Sequence, residues 1–154
     1  MSELLRHTVA TVAYRAGKAL AGAPPEFAAF RLDPTSRTPV EILAHMGDLF
    51  DWALSLVSGR EQWHNSTPLP WDAEAARFFA ALEAFDARLA QAEAPAATAE
   101  RLFQGPIADA LTHVGQLAML RRVSGCRIAG ENYFVAAIAV GRVGPEQAKP
   151  AKEF

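Results

Sequence analysis

Asp109-Ala-Leu-Thr-His113-Val-Gly-Gln116-Leu-Ala-Met-Leu-Arg121-Arg122 is the stretch on which the reading of this chain turns. Pro106 just before it and Gly125 just after it bracket a helix, since proline suits a first turn and glycine a C-terminal cap. Ile107, Leu111, Leu117 and Leu120 around it are apolar and predict that this helix packs into a core. Helical residues four apart share one face, with Cβ atoms ~6 Å from each other, so Asp109 and His113 stand one above the other. An acid and an imidazole facing an apolar interior need a partner. A shared metal ion is one candidate and a mutual hydrogen bond is the other. Asp109 also has a simpler explanation, because a negative charge in the first two turns of a helix is favoured by ~0.3–1 kcal/mol.

Three further helical patterns precede this one. Leu4, Leu5, Val9, Val12, Ala13, Ala16 and Leu20 recur at helical spacing over residues 3–21, until Gly22 and Pro24-Pro25 stop them. Within this helix His7 reads as a surface residue. Arg15 reads as a surface or rim residue with the reach to contact an anionic substrate. Residues 22–38 then form a long connection pinned by Phe27 and Phe30, a length that points to a crossover or an active-site loop. Thr38, Pro39 and Glu41 spell an N-cap, a first-turn proline and a capping box. The second helix runs from there to about Val57, with Gly59 as its terminator. Its apolar face is Leu43, Met46, Phe50, Ala53, Leu54 and Val57, and His45 lies at the edge of that face. On its own, such a histidine reads as a satisfied core or rim residue. Glu41, one turn earlier, has capping as its plain role and support of His45 or proton transfer as its sharper one.

Residues 59–70 read as a polar loop in which His64 is solvated. Ala75, Phe78, Phe79, Leu82, Phe85 and Leu89 predict a third helix opening near Trp71 or Asp72, its aromatic stripe turned to the core. Residues 92–100 read as a linker. After Gly125 the pattern is ambiguous between a short helix to Ala139 and extended chain. Residues 145–154 read as a flexible tail. The whole is one all-α domain over residues 1–144, a four-helix bundle with a short irregular extension.

Composition narrows the function. Hydrophobic residues make up 51% of the 154 and charged residues 21%, which argues for a globular chain rather than a disordered one. The net charge is −2 and no basic stripe is present, which disfavours a nucleic-acid partner. No apolar run approaches the ~20 residues of a membrane span. The opening Met1-Ser2-Glu3-Leu4-Leu5-Arg6-His7 lacks the pattern of a signal peptide, and Cys126 is the single cysteine. A cytoplasmic location is the resulting expectation. Cys126 follows a helix-ending glycine and is a poor candidate nucleophile.

His45 on the second helix, with Asp109 and His113 on the fourth, makes a two-histidine, one-carboxylate set with open coordination positions. Such a set suits zinc, nickel, iron or manganese. Spacing alone leaves the metal and the hydrogen-bonded alternatives open. The text of the motifs goes further. Leu43-Ala-His45-Met-Gly-Asp48-Leu49, followed by Ala110-Leu-Thr-His113-Val-Gly115-Gln116-Leu117 and Leu120-Arg121, resembles the DinB/YfiT-like superfamily from the first helix through Gly125. The resemblance implies an up-down-down-up four-helix bundle, often a homodimer. It also implies a divalent metal, zinc or nickel, held by one histidine on helix 2 and a His-x-x-x-His pair on the last helix. His45 and His113 match two of those positions, and Asp109 replaces the third ligand with a shorter, harder, charged one. Relatives include S-transferases that use low-molecular-weight thiols. The implied chemistry is a thiol made nucleophilic by the cation, attacking a small electrophile. Gln116 would then support the ligands, Glu41 would accept a proton and Arg15 would contact the thiol's anionic groups. The alternative is a non-catalytic stress-related or regulatory bundle with a vestigial site.

Overall fold

A computed structural model describes residues 3–154. Helix α1 spans Glu3–Leu20, α2 Pro39–Val57 and α3 Trp71–Leu89. The short α4, Ala99–Leu102, passes through a π-helical turn at Phe103–Ile107 into α5, Ala108–Val123. Short 3₁₀ turns occupy Pro25–Ala29 and Tyr133–Val135. No strand occurs among the described residues, so the fold is all-α. The helices pack in a ring: α1 lies against α3 and α5, and α2 against the same two. None is long and apolar enough to cross a membrane.

The helix starts follow local chemistry. Thr38 accepts from the Glu41 amide, and the Glu41 carboxylate accepts from the Thr38 amide at 2.7 Å, so both halves of the capping box form. The aromatic stripe of α3 is core as expected. Phe78 and Phe85 are fully buried, each 5.9 Å between ring centroids from Phe50 of α2. Phe27 is buried against Trp71, which fixes the long connection between α1 and α2 onto the body.

The last helical segment begins earlier than its sequence indicates. Thr98 caps Ala99, seven residues before Pro106. Proline inside an α-helix lacks a donor and collides with the carbonyl one turn back. The wider π turn around Pro106 absorbs both defects and lets the helix continue. Arg121, in the last turn of α5, is 5% exposed and serves a neighbouring helix. Its guanidinium donates to the carbonyls of Ala19, Ala21 and Gly22, which α1 leaves without partners at its C-terminus, and to Cys126. Among the described residues no carboxylate pairs with it; the negative end of the α1 dipole faces it instead.

The C-terminal residues, read as a flexible tail, are tied back onto the body. Asn132 donates to Lys152 and Phe154 to Gly130, both at 3.0 Å through the main chain. Beneath them the buried Glu131 carboxylate accepts from Tyr14 at 2.5 Å and from Lys18 at 2.9 Å. Burial and the bond to Glu131 push the Tyr14 pKa up. For Lys18, burial lowers the pKa, but the contacts to Glu131 and Glu153 outweigh it and the net shift is upward. Both folded values therefore exceed the unfolded ones of ~10 and ~10.4. Stability from this cluster is complete below about pH 10 and is lost as pH rises through the folded values. The melting temperature should hold up to about pH 10 and fall as pH rises above it. Tyr14→Phe should start lower and fall less steeply over the same range.

Candidate metal centre

Helix α2 places His45 and α5 places Asp109 and His113, and the packing of these two helices brings all three together. One ligand atom from each lies within 4.8 Å of the other two. His45 donates from Nε2 to Asp109 Oδ2 at 3.3 Å, and the two imidazole centroids are 4.7 Å apart. His113 Nδ1 lies 2.8 Å from the main-chain oxygen of Asp109 and 3.3 Å from its Oδ1. A carbonyl oxygen only accepts, so the proton of His113 is on Nδ1, and Nε2 keeps its lone pair without a hydrogen bond to any described residue. This is the second-sphere arrangement that orients metal-binding histidines. His113 is buried and His45 half-buried. Burial lowers the His45 pKa; nearby His113 and Arg37 lower it further, against the pull of Asp109. The downward shift favours the neutral imidazole, the form that ligates.

In a tetrahedral zinc site with ~2.1 Å bonds, ligand atoms sit ~3.4 Å apart. The three lie close enough to be drawn onto one ion by side-chain rotation, so the residues fit the group. The explanation of Asp109 by helix dipole weakens, because the helical run begins at Ala99 and Asp109 is far from its N-terminus. Its polar contacts to the two imidazoles account for its position instead.

A second cluster of Asp48, Asp51 and His64 also brings ligand atoms within 4.8 Å. His64, read as solvated, lies 3.1 Å from Asp48 and 3.3 Å from Asp51. Arg77 already occupies that cluster, donating to Asp48 at 3.1 Å and to Asp51 at 3.0 Å. A metal ion would meet the guanidinium charge there. No lysine or arginine pairs with Asp109, so the His45 cluster is the better cation site among the described residues.

The other sequence candidates divide. Glu41 is used by the capping box and faces Arg31 at 3.6 Å, lining the same cleft as His45. The bond to the Thr38 amide holds its carboxyl below the usual range. Gln116 lines a separate, apolar cleft beside His113. Arg15 is not brought to the cluster; its guanidinium sits 4.2 Å above the Tyr133 ring. Trp63 went unassigned in the sequence reading, yet its ring lies 5.7 Å from His45 and 5.9 Å from Trp52. A tryptophan in an otherwise polar loop was the available signal. No protein-family model, curated protein or solved structure matches the chain at a significant level.

Proposed function

We propose that the chain is a divalent-metal-dependent enzyme of the DinB/YfiT-like kind, an up-down-down-up bundle that works as a homodimer. It would act as a thiol-dependent S-transferase or hydrolase on a small electrophile. The observation that carries this reading is the convergence of three candidate ligand residues from two helices, each offering an atom within 4.8 Å of the others. His45, Asp109 and His113 would hold the ion, with zinc or nickel preferred and iron or manganese compatible. When bound, the ion supplies Lewis acidity, which favours the ionised form of a thiol or water and polarises an electrophile. The chain's own groups do the rest. The Asp109 carbonyl fixes the His113 ring, and Trp63 packs edge-on against His45. Glu41 lines the cleft that reaches His45; the Thr38 amide holds its carboxyl below the usual range, so it offers a fixed negative charge there rather than a strong base.

A vestigial site in a non-catalytic bundle is favoured by one fact only, that Asp109 already contacts both rings. Elemental analysis of protein made without a histidine tag separates the readings. The expected result is one metal ion per chain, lost in both His45→Ala and His113→Ala. Metal-free protein that folds normally would sink the enzymatic reading.

A further inference from the structure

Two clefts flank the histidines and share a wall. One, of about 380 Å³, includes Arg31, Arg37, Glu41 and His45. The other, of about 650 Å³, includes Leu32, Ile42, His113, Met119 and Leu120. Arg37 lines both, so it stands at the junction of a polar and an apolar space, with a candidate metal ligand in each. A combined space of this size suits a small organic molecule.

The two arginines at this junction differ. Arg31 is committed: it donates to the Ser36 carbonyl and faces Glu41. Arg37 is exposed and makes no hydrogen bond or ion pair with any described residue. Its planar fork matches a carboxylate bidentately. Beside it, Leu32 is 56% exposed and Met119 is 59% exposed, two large apolar side chains at one cleft. A body of apolar atoms seated there would be driven by the area it removes from water. With a single uncommitted cation, and with Glu41 and Asp109 nearby, the charge balance favours a monoanion over a phosphate dianion.

We propose that the substrate is a small organic monocarboxylate, its carboxylate held by Arg37 and its apolar body lying across Leu32, Ile42, Met119 and Leu120 beside His113. The proposal rests on the metal-enzyme reading for the reaction and not for the binding. That separation makes it testable in metal-free protein.

The probes are 4-phenylbutyrate and its amide, titrated by calorimetry into chelator-treated and zinc-loaded protein. The expected result is that the acid binds at least about tenfold more tightly than the amide in both forms. Arg37→Gln should erase that preference, and Arg31→Gln should keep most of it. Met119→Ser should weaken acid and amide alike. Arg37 is exposed and makes no hydrogen bond or ion pair with any described residue, so its variant should melt close to the parent. Equal binding of acid and amide in metal-free protein, or a preference that survives Arg37→Gln, overturns the proposal. A preference confined to zinc-loaded protein and insensitive to Arg37 overturns it too, while leaving the metal reading standing. Inorganic phosphate displacing the acid more strongly than the amide does would reassign the cleft to phosphate and also overturn it.

Discussion

Replacing Arg77 by alanine is expected to lower the stability of the chain by about 3–5 kcal/mol, the loss seen when one partner of a buried ion pair is removed. Arg77 of α3 donates to Glu74, to Asp51 at 3.0 Å, and to both Asp48 and the Ala44 carbonyl of α2 at 3.1 and 2.7 Å. The Glu74 side chain is wholly buried and Asp48 is 3% exposed. Without the guanidinium, two carboxylates remain in a region of poor solvation, Glu74 with only the Leu69 amide and Asp48 with only Ser66 and the half-exposed His64 facing them. The same acids hold the loop after α2, since Asp48 accepts from Ser66 and Glu74 from the Leu69 amide. That loop carries Trp63, so the damage should reach His45. Urea unfolding at pH 7 measures the size. Gly47 offers an independent check. A Cβ built there falls 2.7 Å from the Arg77 guanidinium, so Gly47→Ala should displace the same group and cost about 1–3 kcal/mol by overpacking. A loss below about 1 kcal/mol in Arg77→Ala would mean that solvent already stabilises the acids.

The legibility of this chain follows the range of its interactions. The start of α2 was readable because Thr38, Pro39 and Glu41 act on one another within a single turn. The α3 core stripe was readable because helical period alone places Phe78, Leu82 and Phe85 on one face. His45, Asp109 and His113 were readable as chemistry, since unexplained polar residues on apolar helices ask for partners. Arg77 was not, because a lone arginine between apolar positions looks like a solvated face until its partners on α2, 26 to 33 residues away, are known. Arg121 hid in the same way, 100 residues from the Ala21 carbonyl it satisfies. Pro106 misled in the other direction: its usual first-turn preference is local, and the π turn that tolerates it mid-helix depends on packing.

Zinc at a thousandfold excess over its dissociation constant is expected to raise the stability of the parent chain by about 4 kcal/mol, by mass action alone. Asp109→Asn should abolish nearly all of that gain while costing the metal-free protein less than about 1 kcal/mol. The two halves of the prediction have separate grounds. The Asp109 side chain is 42% exposed and its side-chain contacts to His45 and His113 are both 3.3 Å. The asparagine oxygen can still accept from His45, and the helix dipole contributes little this far from Ala99. Coordination differs, because a neutral amide oxygen is a far weaker ligand for a divalent ion than a carboxylate. Asp109→His, which rebuilds a histidine pair four residues apart, should retain a zinc-dependent rise. Thermal melts of the three proteins with chelator and with zinc read this directly. If Asp109→Asn loses several kcal/mol without metal, and the parent gains nothing from zinc, the carboxylate is a structural anchor between α2 and α5. The metal reading would then fall. The binding of an anion by Arg37 would stand or fall on its own measurement, because Arg37 depends on neither imidazole to meet a carboxylate.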